Sequence, residues 1–346
     1  MTTTTDSYSV RELLPTDEAA VLALLSASLA GGPTGERTAD FLRWKHRDNP
    51  FGVSPGLVAV TEDGALAAVR LLLRWELRSG TRVLRAVRAV DTATHPDHQG
   101  RGLFRRLTTA ALDTVAADAE LVFNTPNAQS RPGYLRMGWQ VVGDVPVALR
   151  PIRPLRLLRG LRGAGQAPVL GPDLPVRSRL PLAADVLKDR AVEVAELLAE
   201  AERGATTSRL RTHRSPAYLH WRYACPPGLD YRAVVVQSGG RVHGLGLGRL
   251  RRRGTLAEFT LGEVIVRPGD RGAAGSVLRG AARSGADHVA AHLSPGSELA
   301  AAGWRAGYLP VPGRGLTLTV NPRAPLPVDS AALTNWDLQL GDLELF

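Results

Sequence analysis

The chain has 346 residues, 44% of them hydrophobic and 22% charged, a length of about two ordinary domains and a balance that excludes a disordered chain. Its net charge of +10 comes almost wholly from arginine, with Lys45 and Lys188 the only lysines, so compositional bias of a high-GC genome explains it better than nucleic-acid binding. The single cysteine, Cys225, excludes an internal disulfide, and the opening MTTTTDSYSV lacks the features of a secretion signal, which makes a cytoplasmic setting the expectation.

In chain order, SYSVREL (7–13) reads as a short strand. Pro15 opens a helix whose apolar positions continue to Leu29. The apolar run around 19–32 falls short of the roughly 20 residues of a bilayer span, so no membrane segment is expected. A second helix, from Thr38 to Arg47, stops before Asn49-Pro50. A strand at Leu57–Thr61 and a turn at Asp63-Gly64 precede two long strand-like runs, 65–78 and 81–94, whose link Ser79-Gly80 suggests a hairpin. After a glycine-rich turn, Leu103, Leu107, Ala110, Ala111 and Val115 have helical spacing. LVFN (121–124) reads as a buried strand, followed by a helix near Asn127–Met137 and a strand from Trp139.

The chain also repeats itself. FLRWKHRDNP (41–50) is matched by YLHWRYACPP (218–227), VDTATHPDHQGRG (90–102) by GEVIVRPGDRGAA (262–274), and LRMGW (135–139) by AAAGW (300–304). These pairings set Trp44 on Trp221, Asp91 on Glu263, Gly100 on Gly272 and Trp139 on Trp304. They put Arg271–Ala274 at the second copy's glycine turn and Leu299 at the position of Tyr134. The organisation expected is a first domain at 1–150, a Pro/Gly/Arg-rich linker at 151–175 in which Leu155–Leu161 could form a short basic helix, and a second domain at 176–346. Cys225 reads as a small buried or interface residue.

The turn at 95–107, HPDHQGRGLFRRL, carries the chemistry. Gly100 and Gly102 let the backbone bend tightly and approach a ligand, and the helix that follows offers free N–H groups to an anion. Arg101, Arg105 and Arg106 add positive charge. This stretch resembles the pyrophosphate-binding motif of the GNAT acyltransferase superfamily (Gcn5-related N-acetyltransferases), Q/R-x-x-G-x-G/A: Gln99, Gly100, Arg101 and Gly102 stand at its first four positions, with Phe104 where the family has Gly or Ala. NAQSRPGYLRMGW (127–139) resembles a second signature of the superfamily through Asn127, Ser130, Tyr134, Gly138 and Trp139.

The resemblance implies a mixed α/β (α+β) protein of two tandem GNAT-like domains, each a mostly antiparallel mixed sheet flanked by helices. It implies an N-acyltransferase that moves an acyl group, acetyl in the family's usual case, from acyl-CoA to a small-molecule or peptide amine. Acetyl-CoA or another acyl-CoA is the co-substrate and no metal is expected. The backbone from Gln99 through Leu103 to Phe104 would hold the pyrophosphate. Thr92, Ala93 and Thr94 would hold the pantetheine arm, Asn127 would contact the cofactor or cap the next helix, and Tyr134 would protonate the leaving thiolate. Asp91 has two readings: the base that takes the amine's proton, or a strand-end carboxylate paired with an arginine such as Arg88. The second copy lacks the glycine turn and the tyrosine, so catalysis is expected in the first copy alone. A non-catalytic CoA-binding scaffold is the alternative, and an aminoacyl-tRNA-dependent transferase a more distant one.

Overall fold

The computed structural model of the chain describes residues 8–28, 38–162, 178–204 and 207–343. The first elements are β1 (Ser9–Glu12), α1 (Glu18–Ser28), α2 (Ala39–His46), β2 (Gly56–Val60), β3 (Leu66–Ser79), β4 (Arg82–Thr94), α3 (Leu103–Thr114), β5 (Leu121–Asn124) and α4 (Arg131–Arg136). Pro15–Asp17 form a 3₁₀ turn ahead of α1, and Thr38 caps α2 by accepting from the Phe41 N–H. Leu29, the expected end of the first helix, lies outside the described residues. The helix expected over 127–137 is shorter, because Asn127–Ser130 form a capped turn in front of it.

The remainder comprises β6 (Gln140–Pro151), α5 (Pro154–Arg162), α6 (Ala183–Asp189), α7 (Ala191–Gly204), β7 (Arg211–Thr212), α8 (Pro216–Tyr223), β8 (Tyr231–Ser238), β9 (Arg241–Arg253), β10 (Leu256–Val266), α9 (Arg271–Gly280), β11 (His288–Ala291), α10 (Glu298–Arg305), β12 (Leu309–Pro322) and α11 (Leu340–Leu343).

These elements form two compact units. Unit 1 holds residues 1–76, 84–141 and 319–326; unit 2 holds 77–83, 142–318 and 327–346. In unit 1, β1, β2 and β3 pair antiparallel, and β4 lies parallel to β5 with Val87 opposite Val122. A parallel pair needs a crossover, and α3 provides it. Side chains alternate across β3: Ala68 and Leu72 join the core under α3 with Leu103, Leu107, Val122 and Trp139, while Val69 and Leu71 meet Val21, Leu24 and Leu25 of α1 on the other face.

The far edge of β5 is covered by the end of β12, with Thr319 opposite Asn124 and Pro322 opposite Leu121. In unit 2, β8, β9 and β10 are antiparallel, β10 and β11 parallel, and β11 pairs antiparallel with β6, His288 opposite Pro151. So each unit closes with a strand from the other stretch of sequence, and the boundaries differ from the expected 1–150 and 176–346. An open β5 or β11 edge would leave a row of unpaired backbone groups, and either returning strand satisfies it. The expected linker differs too. Its first part is α5, where Leu157 is buried and Arg156, with Arg153 just ahead, pairs with Asp287 at 3.3 and 3.2 Å; residues 163–175 lie outside the described residues. No helix among the described residues is long and apolar enough to cross a membrane.

Candidate functional site

In unit 1, β4 runs out at Thr94 into a turn that delivers the chain to α3. Gly100 and Gly102 have φ of +74° and +75°, the left-handed region that a Cβ disfavours. Gly102 is the N-cap of α3 and has no side chain to satisfy the helix's first N–H groups, which leaves them for an external acceptor. Gln99 and Arg101 are exposed, and Arg101 donates to the Asp97 carbonyl. An open depression of about 490 Å³ follows α3, lined by Gly102, Arg105, Arg106 and Thr109. Leu103 is buried in the core, so only its backbone can face a ligand.

Phe104, the departure from the motif, is half-buried and turned inward, edge-on to the Tyr134 ring at 5.2 Å. A Cβ on Gly133 would come within 2.8 Å of the Phe104 ring, so the aromatic at 104 and the glycine at 133 fit only as a pair. Tyr134 itself is buried, also packed on Trp139 at 5.1 Å. Its Oη accepts from Arg70 Nη1 at 2.7 Å. The same Nη1 donates to Thr92 Oγ1, which links the end of β4 to the tyrosine.

Ala93 is buried among α1 residues, and the Thr94 carbonyl accepts from the Ser28 hydroxyl at 3.3 Å and the Gln99 amide at 3.5 Å. Asn127 is exposed; its Oδ1 accepts from the Ser130 N–H and hydroxyl at 2.8 and 2.9 Å, a capping arrangement. Asn124 Oδ1 accepts from Thr319 Oγ1 at 2.5 Å and ties β5 to the returning strand.

Asp91 has φ of +44°, the one non-glycine residue with positive φ among those described. Such a conformation is strained and persists where its surroundings enforce it. Its side chain is 5% exposed and meets two α2 residues: Lys45, in an ion pair, and His46, whose Nε2 lies 2.9 Å from Oδ2. His46 Nδ1 is in turn 2.9 Å from Ser54 Oγ. Arg88, the partner the sequence offered, is buried with its guanidinium over the Trp75 and Phe123 rings at 5.5 and 5.1 Å. Asp91 thus faces α2 while Thr92 faces Arg70 and Tyr134, so carboxylate and phenol approach the end of β4 from opposite faces. Lys45 and His46 escaped the sequence reading. A signal was present: Lys45 is one of two lysines in a chain that otherwise uses arginine.

Unit 2 repeats the frame with internal groups on its strand end and helix start, beside a cavity of about 560 Å³ lined by Val264, Gly269, Asp270, Glu298 and Gln339. Glu263 follows a bulge in β10 and is held by Arg214 at 2.6 Å and the Tyr223 hydroxyl at 3.2 Å. Tyr223 stands where the repeat sets His46, so a helix group meets the strand carboxylate in both units. Burial pushes the Glu263 carboxyl up to about 7, with Arg214 opposing and Asp342 reinforcing the shift. One residue on, the Val264 N–H donates to Gln339 Oε1 at 2.6 Å and its carbonyl accepts from Gln339 Nε2 at 3.0 Å. Glu298 accepts from the Gly269 N–H and Asp270 from the Ala273 N–H, each at 2.8 Å. The chain's own amide and carboxylates therefore hold backbone groups at the end of β10 and the start of α9, whereas α3 in unit 1 has no side-chain cap.

The structure also corrects the repeat. Only Arg267–Asp270 separate β10 from α9, so Arg271–Ala274 lie inside the helix and the turn has lost residues. Gly138-Trp139 finds its counterpart in Gly307-Tyr308: both glycines have positive φ, both aromatics are buried, and each pair directly precedes a strand. Trp304 is 66% exposed and Cys225 is exposed as well. Gly303 then falls opposite Tyr134, and a Cβ there would lie 2.2 Å from Leu293 Cδ1, so a tyrosine would have to displace that side chain. Among the described residues no group of three or more His, Cys, Asp or Glu side chains is placed to hold a metal ion.

Residues 9–142 match the family model of the acetyltransferase (GNAT) domain, which is a domain of acyl transfer. No curated protein matches the sequence. Among solved structures, a GCN5-related N-acetyltransferase from Anabaena variabilis is similar with a TM-score of 0.63 at 13% identity, over 92% of this chain and 73% of that one. One from Kribbella flavida gives 0.57 at 14%, over 93% and 72%. Saccharomyces cerevisiae N-myristoyltransferase with bound myristoyl-CoA gives 0.57 at 12%, over 98% and 85%. At these identities the likeness is one of fold.

Proposed function

We propose that unit 1, whose residues 9–142 match the acetyltransferase (GNAT) domain model, transfers an acyl group, acetyl first among the candidates, from acyl-CoA directly to the amine of a small molecule or peptide. The observation that carries this reading is the buried Tyr134 hydroxyl, coupled through Arg70 to Thr92 at the strand end beside the uncapped α3 turn. In it, the backbone of Gln99–Phe104 takes the diphosphate of the co-substrate, and the strand end at Thr92–Thr94 hydrogen-bonds the pantetheine arm and polarises the thioester carbonyl. The amine nitrogen attacks that carbonyl carbon, the C–N bond forms and the C–S bond breaks. Asp91 takes the proton the amine loses, through a water, and Tyr134 gives its phenolic proton to the departing thiolate. Solvent then resets both groups.

Three measurements test the reading. Thermal-shift titration of the full chain with acetyl-CoA and with myristoyl-CoA should raise the melting temperature for the acyl chain that fits, since a ligand at 100 times its dissociation constant stabilises by about 2.7 kcal/mol. A panel of amines, with released thiol as readout, then identifies the acceptor class. Tyr134→Phe should bind acyl-CoA as the parent does and turn over about 10- to 1,000-fold more slowly. Undiminished turnover in that variant would remove the tyrosine from the chemistry.

A further inference from the structure

Arg70 sits in the middle of β3 with 0% of its surface exposed. A buried guanidinium ordinarily faces a carboxylate. This one has Phe104 and Tyr134 rings at 5.8 and 5.2 Å and two neutral hydroxyls, Thr92 Oγ1 and Tyr134 Oη, on Nη1. Its Nε and Nη2 have no hydrogen-bond partner among the described residues. Stability alone does not account for such a residue, because leaving buried donors unmade costs more than an apolar chain of the same length would. A buried polar group left unsatisfied in a native structure calls for an explanation, and a role in the chemistry beside it is one.

We propose that Arg70 is a positioning residue for Tyr134, one that fixes the direction of the phenolic proton. The inference rests on the reading of Tyr134 as the acid. A guanidinium has five donors and no acceptor. Across the 2.7 Å contact Arg70 therefore donates, and Tyr134 Oη must accept. The single phenolic hydrogen is then excluded from the Arg70 side and directed away from it, available to the departing thiolate. Thr92 is constrained in the same way, since its hydroxyl accepts from the same nitrogen. Phe104 closes the assembly by covering the guanidinium and the tyrosine ring together. This gives the motif's aromatic departure a role: it keeps water from competing for the Tyr134 oxygen. Unit 2 has another buried guanidinium on a tyrosine hydroxyl, Arg222 on Tyr231 at 2.6 Å, but it lies on α8; at the tyrosine's own place stands Gly303, and β9 runs beneath α9 as glycines, with Gly244 and Gly246 against Val277.

The test compares Arg70→Met, Arg70→Lys, Tyr134→Phe and the Arg70→Met/Tyr134→Phe double variant in the full chain, with acetyl-CoA and the best amine of the panel. Arg70→Met should lower kcat by about tenfold or more with KM for acetyl-CoA unchanged, while the melting temperature stays level or rises. Arg70→Lys should recover part of the loss. The double variant should be no slower than Tyr134→Phe, because Arg70 acts only through that hydroxyl. Wild-type turnover in Arg70→Met, or full additivity in the double variant, overturns the proposal. So does a marked fall in melting temperature in both Arg70→Met and Arg70→Lys, which makes the residue structural. Full activity in Tyr134→Phe overturns the acid reading and this proposal with it; a slow Tyr134→Phe beside a fully active Arg70→Met overturns Arg70's role alone.

Discussion

The two units place a carboxylate at the same point of the same strand and surround it differently. In unit 1 Asp91 is met by Lys45 and His46 near the site where β4 ends, and the backbone beyond it leads to an uncapped helix. In unit 2 Glu263 is sealed beneath Arg214 and Tyr223, Gln339 holds both backbone groups of Val264, and Asp270 caps α9. A primary amide donating and accepting at one strand residue offers the same groups as a ligand amide would. The comparison teaches that groups within the chain can take hydrogen bonds that a ligand would otherwise make, even beside an open cavity. Once the N–H groups have partners within the chain, an outside ligand must displace them, and the gain on binding falls accordingly.

The widest break in the comparison comes from truncation. A chain ending at Arg162 keeps every proposed site residue but loses Thr319–Pro322, the strand on the β5 edge. It should lose cooperative melting followed by circular dichroism, and with it acetyl-CoA binding, because the unpaired edge exposes Val122 and Phe123, both fully buried in the intact chain. A truncated chain that melts cooperatively and binds would make unit 1 autonomous.

That dependence was out of reach of the sequence for a physical reason. The strand at 121–124, the hairpin of β3 and β4, and the turn at 99–102 are set by local patterning and glycine backbone freedom, and they were legible. Which strand covers β5 is decided by pairing between Asn124 and Thr319, nearly 200 residues apart, where no local pattern reaches. The same distinction holds within the site. Tyr134 and the glycine turn stood out at fixed spacings, whereas Arg70 lay in an apolar run with nothing beside it to signal the tyrosine. The Phe104–Gly133 pair could be read only once α3 and α4 were seen in contact.

The next prediction concerns the sealed carboxylate. The Glu263 carboxyl is raised by burial from the usual 4.5 to about 7. Between those values the folded state binds the proton and the unfolded state has released it, so stability falls as pH rises through the window. The full effect is about 3 kcal/mol across it. Denaturant titrations at pH 5 and pH 7.5 should reveal that loss, and Glu263→Gln should flatten it. An unchanged pH slope in the variant would mean the charge on Glu263 is solvated or fully compensated by Arg214.

A smaller effect separates the open turn from the filled one. Gly102→Val places a β-branched residue at φ +75°, at a cost of about 1–2 kcal/mol, and sets a side chain where the diphosphate is proposed to bind. Acetyl-CoA affinity should fall about tenfold or more. Asp270→Ala, which uncaps α9 in unit 2, should leave it unchanged, and calorimetry on the parent should count one site per chain. A stoichiometry of two would mean that the internal groups of unit 2 yield to the ligand.

The smallest effect decides which aromatic anchors unit 2. Alignment of the repeat by sequence puts Trp304 in the role of Trp139, while the backbone puts Tyr308 there. Trp139 and Tyr308 are 4% and 2% exposed, each directly after a glycine of positive φ, and the Tyr308 hydroxyl donates to the Leu278 carbonyl at 3.0 Å. Trp304 lies on α10 with two thirds of its surface in solvent. Trp304→Ala should therefore change unfolding free energy by no more than about 0.5 kcal/mol. Tyr308→Ala should cost about 3–5 kcal/mol, as a truncated buried aromatic does, since it opens a cavity, although the Leu278 carbonyl keeps Arg150 as a donor. Urea titrations of both variants at one pH give the contrast directly. Equal and large losses would restore Trp304 as the anchor and shift the structural repeat by four residues. A loss confined to Tyr308 fixes Gly303 opposite Tyr134, the position where the Leu293 side chain stands in unit 2.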